Sequence, residues 1–444
     1  MKTRKLAGLA AWAALPVSMF AFSTGPPLQR TGAPADGGLD CSACHRGNPT
    51  NDPRGKLTVL ARDYRPGVKQ IVRVMLEHTE ANRWGFQITV RLAGNESQGA
   101  GRFAVSEESG LQLRTAAGAE FVNHTQPSTF LGQRGSAFWD IEWTPPADLR
   151  GEVVFYAAGN AANFSGNNQG DYIYTTTTRI KAESCNLADR PVITGIVNAA
   201  SFVSTAFAPN TLITIGGRGF QPPGSNLAVE GYDLIDRRFP NSFGCVAVEV
   251  GGRRAPLSFV GPSQINAQIP TLNNATNVPV RVIVNPGTAN ERASDPVNIN
   301  VTDYSPAFFR LLPTPCIVAL NQDGSLSGDP SLFTSLPVKG ARVGEVVSMF
   351  ATGLGFTEPI WQAGEIATTR TPLRRRPEVS VEFNGVRLPD ESVTYAGLAP
   401  NLVTGVYQIN IRIPANARTN QHNEVRIRAG NTLSPENTTL LVIP

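Results

Sequence analysis

Several things that a functional chain often carries are scarce or missing here. Helix-period hydrophobic segments are almost absent after the first 25 residues, which excludes a helical bundle and a doubly wound α/β fold. Charged residues make up 17% of the 444, the formal net charge is only +4, and the basic residues are scattered apart from Arg374-Arg375-Arg376. A nucleic-acid partner needs a concentrated basic face, so none is expected, and that arginine run reads as a solvated loop between strands. There is no nucleophile–base set, no paired carboxylates in a readable motif and no phosphate loop, so no enzymatic activity is expected. No segment beyond the N-terminal one is apolar for long enough to span a bilayer.

What the chain has in quantity is 42 glycines and 34 prolines, with frequent Thr, Val and Asn. That composition predicts an all-β chain of short strands joined by turns. The N-terminus predicts export. Lys2, Arg4 and Lys5 precede an apolar run over residues 6–22, and Ala21-Phe22-Ser23 offers a small-residue cleavage site, so residues 1–23 read as a signal peptide. Mature protein is then expected in the periplasm, at the cell surface or outside the cell, where disulfides and covalent haem attachment can both form. No cysteine follows the apolar run closely, which argues against a lipid anchor there.

From residue 55 onward the chain alternates. Phe138-Trp-Asp-Ile-Glu-Trp143 has period two and stops at Pro145-Pro146, and seven or eight such segments before residue 183 predict an antiparallel sandwich. Residues 184–191 are polar and end on Pro191, which reads as a linker. After it the sequence repeats itself. Thr211-Leu-Ile-Thr-Ile-Gly-Gly-Arg-Gly-Phe220 answers to Val346-Val-Ser-Met-Phe-Ala-Thr-Gly-Leu-Gly-Phe356, and Val248-Glu-Val-Gly-Gly252 to Val381-Glu-Phe-Asn-Gly385. Gln264-Ile-Asn-Ala-Gln-Ile-Pro270 answers to Gln408-Ile-Asn-Ile-Arg-Ile-Pro414, and Val280-Arg-Val-Ile-Val284 to Val425-Arg-Ile-Arg-Ala429. Four blocks in one order predict two copies of one sandwich, residues 192–302 and 303–444. Gly251-Gly252 and Asn384-Gly385 are their hairpin turns.

The chemistry is concentrated in Cys41-Ser42-Ala43-Cys44-His45. Two thiols at CxxC spacing can form thioethers with the vinyl groups of one porphyrin, and the adjacent imidazole can ligate the iron, which is the attachment pattern of haem c. His124 is the expected distal ligand, in the segment Asn123-His-Thr-Gln-Pro127, with Met75 or His78 as alternatives. Against this stands Arg46-Gly47-Asn48-Pro49, which halts any helix at the motif. The competing reading is a Cys41–Cys44 disulfide in a plain loop. Zinc on Cys41, Cys44, His45 and His124 is a weaker third reading, because CxxCH crowds three ligands. Cys185, Cys245 and Cys316 fit no metal spacing; a Cys245–Cys316 bridge and buried free thiols both stay open. Trp84, Trp139 and Trp143 read as core rather than as a stacking platform, and Trp361 as exposed. The Asn-rich loop 159–171 and Asn321-Gln-Asp-Gly324 read as turns rather than calcium loops.

Two resemblances complete the reading. Thr31-Gly-Ala-Pro34 ahead of the CxxCH, Tyr64-Arg-Pro-Gly67, Gly85-Phe-Gln87, Trp143-Thr-Pro-Pro146, Gly159-Asn-Ala-Ala-Asn163 and Gly170-Asp171 resemble a bacterial reeler-type domain (reelin N-terminal-like, choice-of-anchor V). That resemblance implies an immunoglobulin-like sandwich over residues 24–183 in a surface or extracellular protein. Gly195-Ile-Val-Asn-Ala-Ala-Ser-Phe202, Tyr304-Ser-Pro-Ala-Phe-Phe309, Ala319-Leu-Asn-Gln-Asp-Gly324 and Ala351-Thr-Gly-Leu-Gly355 resemble the paired IPT/TIG-like C-terminal domain of exported soil-bacterial proteins. The expectation is thus three immunoglobulin-like sandwiches in tandem after a signal peptide. The first functional reading is a non-catalytic binding or adhesion module for an unknown surface or extracellular ligand. The alternative is an extracytoplasmic c-type haem protein that transfers electrons.

Overall fold

The computed structural model describes residues 24–149, 151–204 and 206–444; the expected signal peptide lies outside the described residues. Nearly all regular structure in it is β-strand. The chain divides into two compact units, Met1–Glu183 and Ser184–Pro444.

In the first unit a four-stranded sheet runs Gly55–Leu60, Gln70–His78, Gly135–Thr144, Arg102–Ala104, in that spatial order. A seven-stranded sheet has Gln169–Lys181, Glu152–Ala162, Arg83–Leu92 and Ala119–His124 at its centre. The period-two expectation holds along Gly135–Thr144, where Trp139, Ile141 and Trp143 are buried while Phe138 and Asp140 face out. Trp84, Trp139 and Trp143, the tryptophans among the unit's described residues, are core: Trp143 donates from Nε1 to the Ala100 carbonyl and meets Tyr64 edge-on.

Arg83–Leu92 breaks the alternation, since Trp84 to Arg91 are all buried. The reason is the N-terminal arm, which lies over the polar side of this strand. Gln87 accepts from the Arg30 amide at 2.7 Å and donates to the Pro27 carbonyl at 3.0 Å. Arg91 makes two 2.7 Å bonds to the Asp36 carboxylate, with both side chains 1% exposed. A buried pair of this kind is costly to desolvate but still costlier to break.

The second unit contains both duplicates, each with its own two sheets and its own apolar core. The repeat in sequence is a repeat in pairing. Leu212–Arg218 lies against Gln264–Gln268 as Val346–Thr352 lies against Tyr407–Arg412. Val246–Val250 pairs with Ala275–Val284 as Val379–Phe383 pairs with Gln421–Ala429. Gly251 and Gly252 (φ 57° and 76°) and Asn384 and Gly385 (51° and 78°) adopt the left-handed conformation that two-residue hairpins require. Gln268 spans the seam: its amide donates to the Asn210 carbonyl at 2.9 Å and to the Thr404 carbonyl, and accepts from the Gly364 amide at 2.7 Å.

Two expectations are corrected here, and one pairing left open by the sequence is decided. Residues 184–191 are not a free linker: Cys185 is disulfide-bonded to Cys245, and Leu187 exchanges two bonds with the Asn285 side chain. The Cys245–Cys316 bridge does not form, and Cys316 is a buried free thiol. Trp361 is half-buried against the second core and donates to Thr371. Asn321-Gln-Asp-Gly324 is a turn, closed by the Gly324 amide on the Asn321 carbonyl at 2.9 Å.

Candidate haem c site

The CxxCH segment forms a single helical turn. Asp40 caps it by accepting from the Ser42 amide at 2.7 Å, and the Cys41 carbonyl accepts from the amides of Cys44 and His45 at 3.2 and 2.9 Å. The chain then stops winding, as Gly47 and Pro49 demand, and Arg46–Gly47 pairs in parallel with the start of Gln169–Lys181. This strand pairing brings Asp171 to His45. His45 Nδ1 donates to Asp171 Oδ2 at 2.6 Å, and Asp171 Oδ1 accepts from the Asn163 amide at 3.1 Å. The Asn160 amide nitrogen lies 3.0 Å from His45 Nδ1 and 3.4 Å from Asp171 Oδ2. Asn168 reaches across to the Cys44 carbonyl at 2.6 Å. The Asn-rich loop, read from sequence as turns only, is therefore one wall around the motif.

Cys41, Cys44 and His45 open onto a cleft of about 380 Å³. Trp84, Phe86, Phe164, Pro26 and Pro27 contribute apolar lining, and Arg30 and Arg83 contribute cations. His124 lines the same cleft. Its Nδ1 sits 2.8 Å from the Phe86 amide and 3.1 Å from the Phe86 carbonyl, at the end of Ala119–His124. The ring lies so close over Gly85 that a Cβ there would fall 2.6 Å from it, so only glycine fits beneath.

Of the residues predicted as site members, Cys41, Cys44, His45 and His124 meet in one cavity. Met75 and His78 do not. Met75 pairs across its sheet with Phe138, away from the core face. His78 is buried against Tyr172, stacked at 4.1 Å, with Nδ1 accepting from the Glu80 amide. Cys41 and Cys44 are free thiols rather than a disulfide. Surrounding protein, and then the Asp40 carboxylate, push the Cys41 thiol up to about 12. Zinc is disfavoured: among the described residues, no three of Cys41, Cys44, His45 and His124 bring ligand atoms within 4.8 Å of one another. Sequence reasoning missed Arg30 and Arg83, which sit in no motif, and read Asn160 and Asp171 only as members of a turn loop.

Comparison with known proteins bears mainly on the second unit. Residues 191–300 match the IPT/TIG domain. The segment covers the first duplicate except its last two residues, with the Gln264-to-Pro270 block by which the duplication was recognised. Among solved structures, the Reelin-N domain of F-spondin is 19% identical, covering 32% of this chain and 96% of that one, with a TM-score of 0.21. The human F-spondin reeler domain gives 19%, 32% and 95%, and 0.22. The sixth cohesin of scaffoldin B from Acetivibrio cellulolyticus gives 9%, 27% and 96%, and 0.19. No curated protein matches the chain. Among the described residues no helix is long and apolar enough to cross a membrane.

The cleft suits a covalently held haem. Its donor set is two thiols and an imidazole on one turn, with a second imidazole in the same cavity. Two polar atoms of its wall, Arg30 Nε and Asn160 Oδ1, are buried without a hydrogen-bond partner. Arg30 donates to the Leu28 and Gln29 carbonyls and Arg83 to Thr129 Oγ1, and both line the cleft.

Proposed function

We propose that this chain is an exported β-sandwich protein whose first unit carries one haem c and whose IPT/TIG-containing unit serves binding or spacing. The observation that carries the reading is the meeting of the whole CxxCH motif and His124 in one cleft. Sequence alone placed the non-catalytic binding module first. The cleft supports the haem reading beside it, because Cys41, Cys44, His45 and His124 line it together.

Each residue has a role of its own. Cys41 and Cys44 would hold the group covalently through their two sulfurs. His45 holds its proton at Nδ1, against Asp171, which leaves the Nε2 lone pair for the iron. His124, on the same cleft, would be the second imidazole available to the group. Arg30 and Arg83 would meet the group's carboxylates, and Trp84, Phe86 and Phe164 would shield it from water. The group, when bound, supplies a one-electron iron couple.

Full-length protein made in a host able to attach haem c should purify red, and the mature chain should be heavier by one haem. Cys44→Ser should leave a folded protein with weakened or lost covalent colour, and the Cys41→Ser/Cys44→Ser pair a colourless one. A colourless parent of unmodified mass, from a host that matures other c-type cytochromes, overturns the proposal and returns the chain to the binding-module reading.

A further inference from the structure

We infer that Asp171 is the positioning residue that sets the reduction potential of this site. The inference rests on the haem reading above and concerns a residue to which no motif assigns a role.

The geometry singles out Asp171 among the carboxylates of the unit. It is 2% exposed and sits at the third position of Gln169–Lys181 in register with Gly47, two residues past His45. The carboxylate is held at both oxygens. Oδ1 accepts from the Asn163 amide at 3.1 Å, and Oδ2 accepts from His45 Nδ1 at 2.6 Å and from Asn160 Nδ2 at 3.4 Å. The anion cannot turn away from the ring. The other carboxylate beside the motif, Asp40, is spent on the cap of the turn. Gly170 (φ 78°) keeps this register, because its Cα carries no side chain where Asn163 passes at 2.7 Å from a Cβ position.

A short charge-assisted bond from Nδ1–H to a fixed carboxylate puts partial imidazolate character on the ring. That makes Nε2 a stronger donor and favours the more positive oxidation state of a bound metal. Asp171 therefore lowers the potential, in addition to fixing the tautomer and the ring plane. No atom or electron is transferred in this role; the proton stays on Nδ1.

The test is a redox titration of the purified red protein against Asp171→Asn, which keeps the shape and an acceptor oxygen but removes the charge. Asp140→Asn, at a solvent-facing carboxylate paired with Arg73, controls for the change in net charge. The expected result is a rise in midpoint potential for Asp171→Asn of roughly tenfold in the reduction equilibrium, ~59 mV for one electron, with Asp140→Asn unchanged. A red Asp171→Asn protein with the parent's potential overturns the inference and leaves the haem reading standing. If Asp171→Asn does not incorporate haem, the parent protein decides. A slowly exchanging Nδ1 proton of His45 in the NMR spectrum of the holoprotein supports the bond, and rapid exchange overturns it. A colourless parent removes the proposed function itself, and this inference with it.

Discussion

The cleft of the first unit and the seam between the duplicates both bury polar side chains, and they treat them in opposite ways. At the seam, the Gln268 amide has a partner for its oxygen and two for its nitrogen, all supplied by backbone of the chain itself. In the cleft, Arg30 Nε and Asn160 Oδ1 are buried with none. A buried polar atom without a partner costs about 1–3 kcal/mol, so a fold keeps one mainly where something else completes it. Polar burial that closes on itself is cement. Unpartnered atoms are also buried away from the cleft, at Arg91 Nε and His78 Nε2, so those of the cleft point to a site only together with its thiols and imidazoles.

The largest effect is expected where the cleft depends on its anchor. Asp36 and Arg91 pin the arm that leads into Cys41, and Asp36→Asn leaves a buried guanidinium without its counter-charge. Denaturant unfolding of the first unit should show a loss of about 3–5 kcal/mol. The Asp36→Leu/Arg91→Met pair should recover most of it, since the cost lies in the orphaned charge. A loss below about 1 kcal/mol for Asp36→Asn would mean that the arm is not held by this pair.

Next comes a direct contrast between seam and cleft. Gln268→Ala strips partners from the Gly364 amide and two carbonyls, and should cost the second unit about 2–4 kcal/mol. Arg30→Gln removes an atom that was already unmatched, and should change the stability of the first unit by less than about 1 kcal/mol while lowering haem incorporation. Equal losses from the two would erase the distinction between cement and site. If the cement argument is right, a scanning calorimetry trace of Gln268→Ala should also broaden or split, as the duplicates lose their coupling.

The all-β fold and the duplication could be read from sequence because they rest on local signals. Period-two alternation in Ile265, Ala267 and Ile269 and in Ile409, Ile411 and Ile413, and glycine or asparagine at left-handed turns, act within a few residues. The thiols and His45 could be read for the same reason, being contiguous. Asp171 could not: it lies 126 residues from His45, and only the parallel pairing of Arg46–Gly47 brings the two together. The arm over Gln87 and Arg91 was hidden too, since a strand buried on both sides by loop and sheet reads like one with a wet face. His124 was placed in the site for reach, as part of a loop; it arrives there as the last residue of a strand. Asn285, which ties down the supposed linker, gives no sign in sequence of a partner 98 residues away.

The smallest predicted effect tests whether an imidazole outside the cleft behaves as packing. His78 is 1% exposed, stacked on Tyr172, and its Nδ1 accepts from the Glu80 amide, so the neutral ring carries its proton on Nε2. Burial holds its pKa below the ordinary 6.5, outweighing the pull of the Glu80 carboxylate. The unfolded chain therefore binds the proton more readily than the folded one. The contribution to stability is complete above pH 6.5 and is lost as pH falls from there through the depressed folded value. Protonation would also require Nδ1 to give up the Glu80 amide. His78→Phe keeps the stack on Tyr172 and removes the titration, so the difference in unfolding free energy between parent and variant should shrink as pH drops below neutrality. The comparison is best made on protein without haem, so that ligation at His45 or His124 does not add its own pH dependence. A difference that stays constant across that range would show that this imidazole is as exposed to protons as a surface one, and that only the cleft histidines are held by their surroundings.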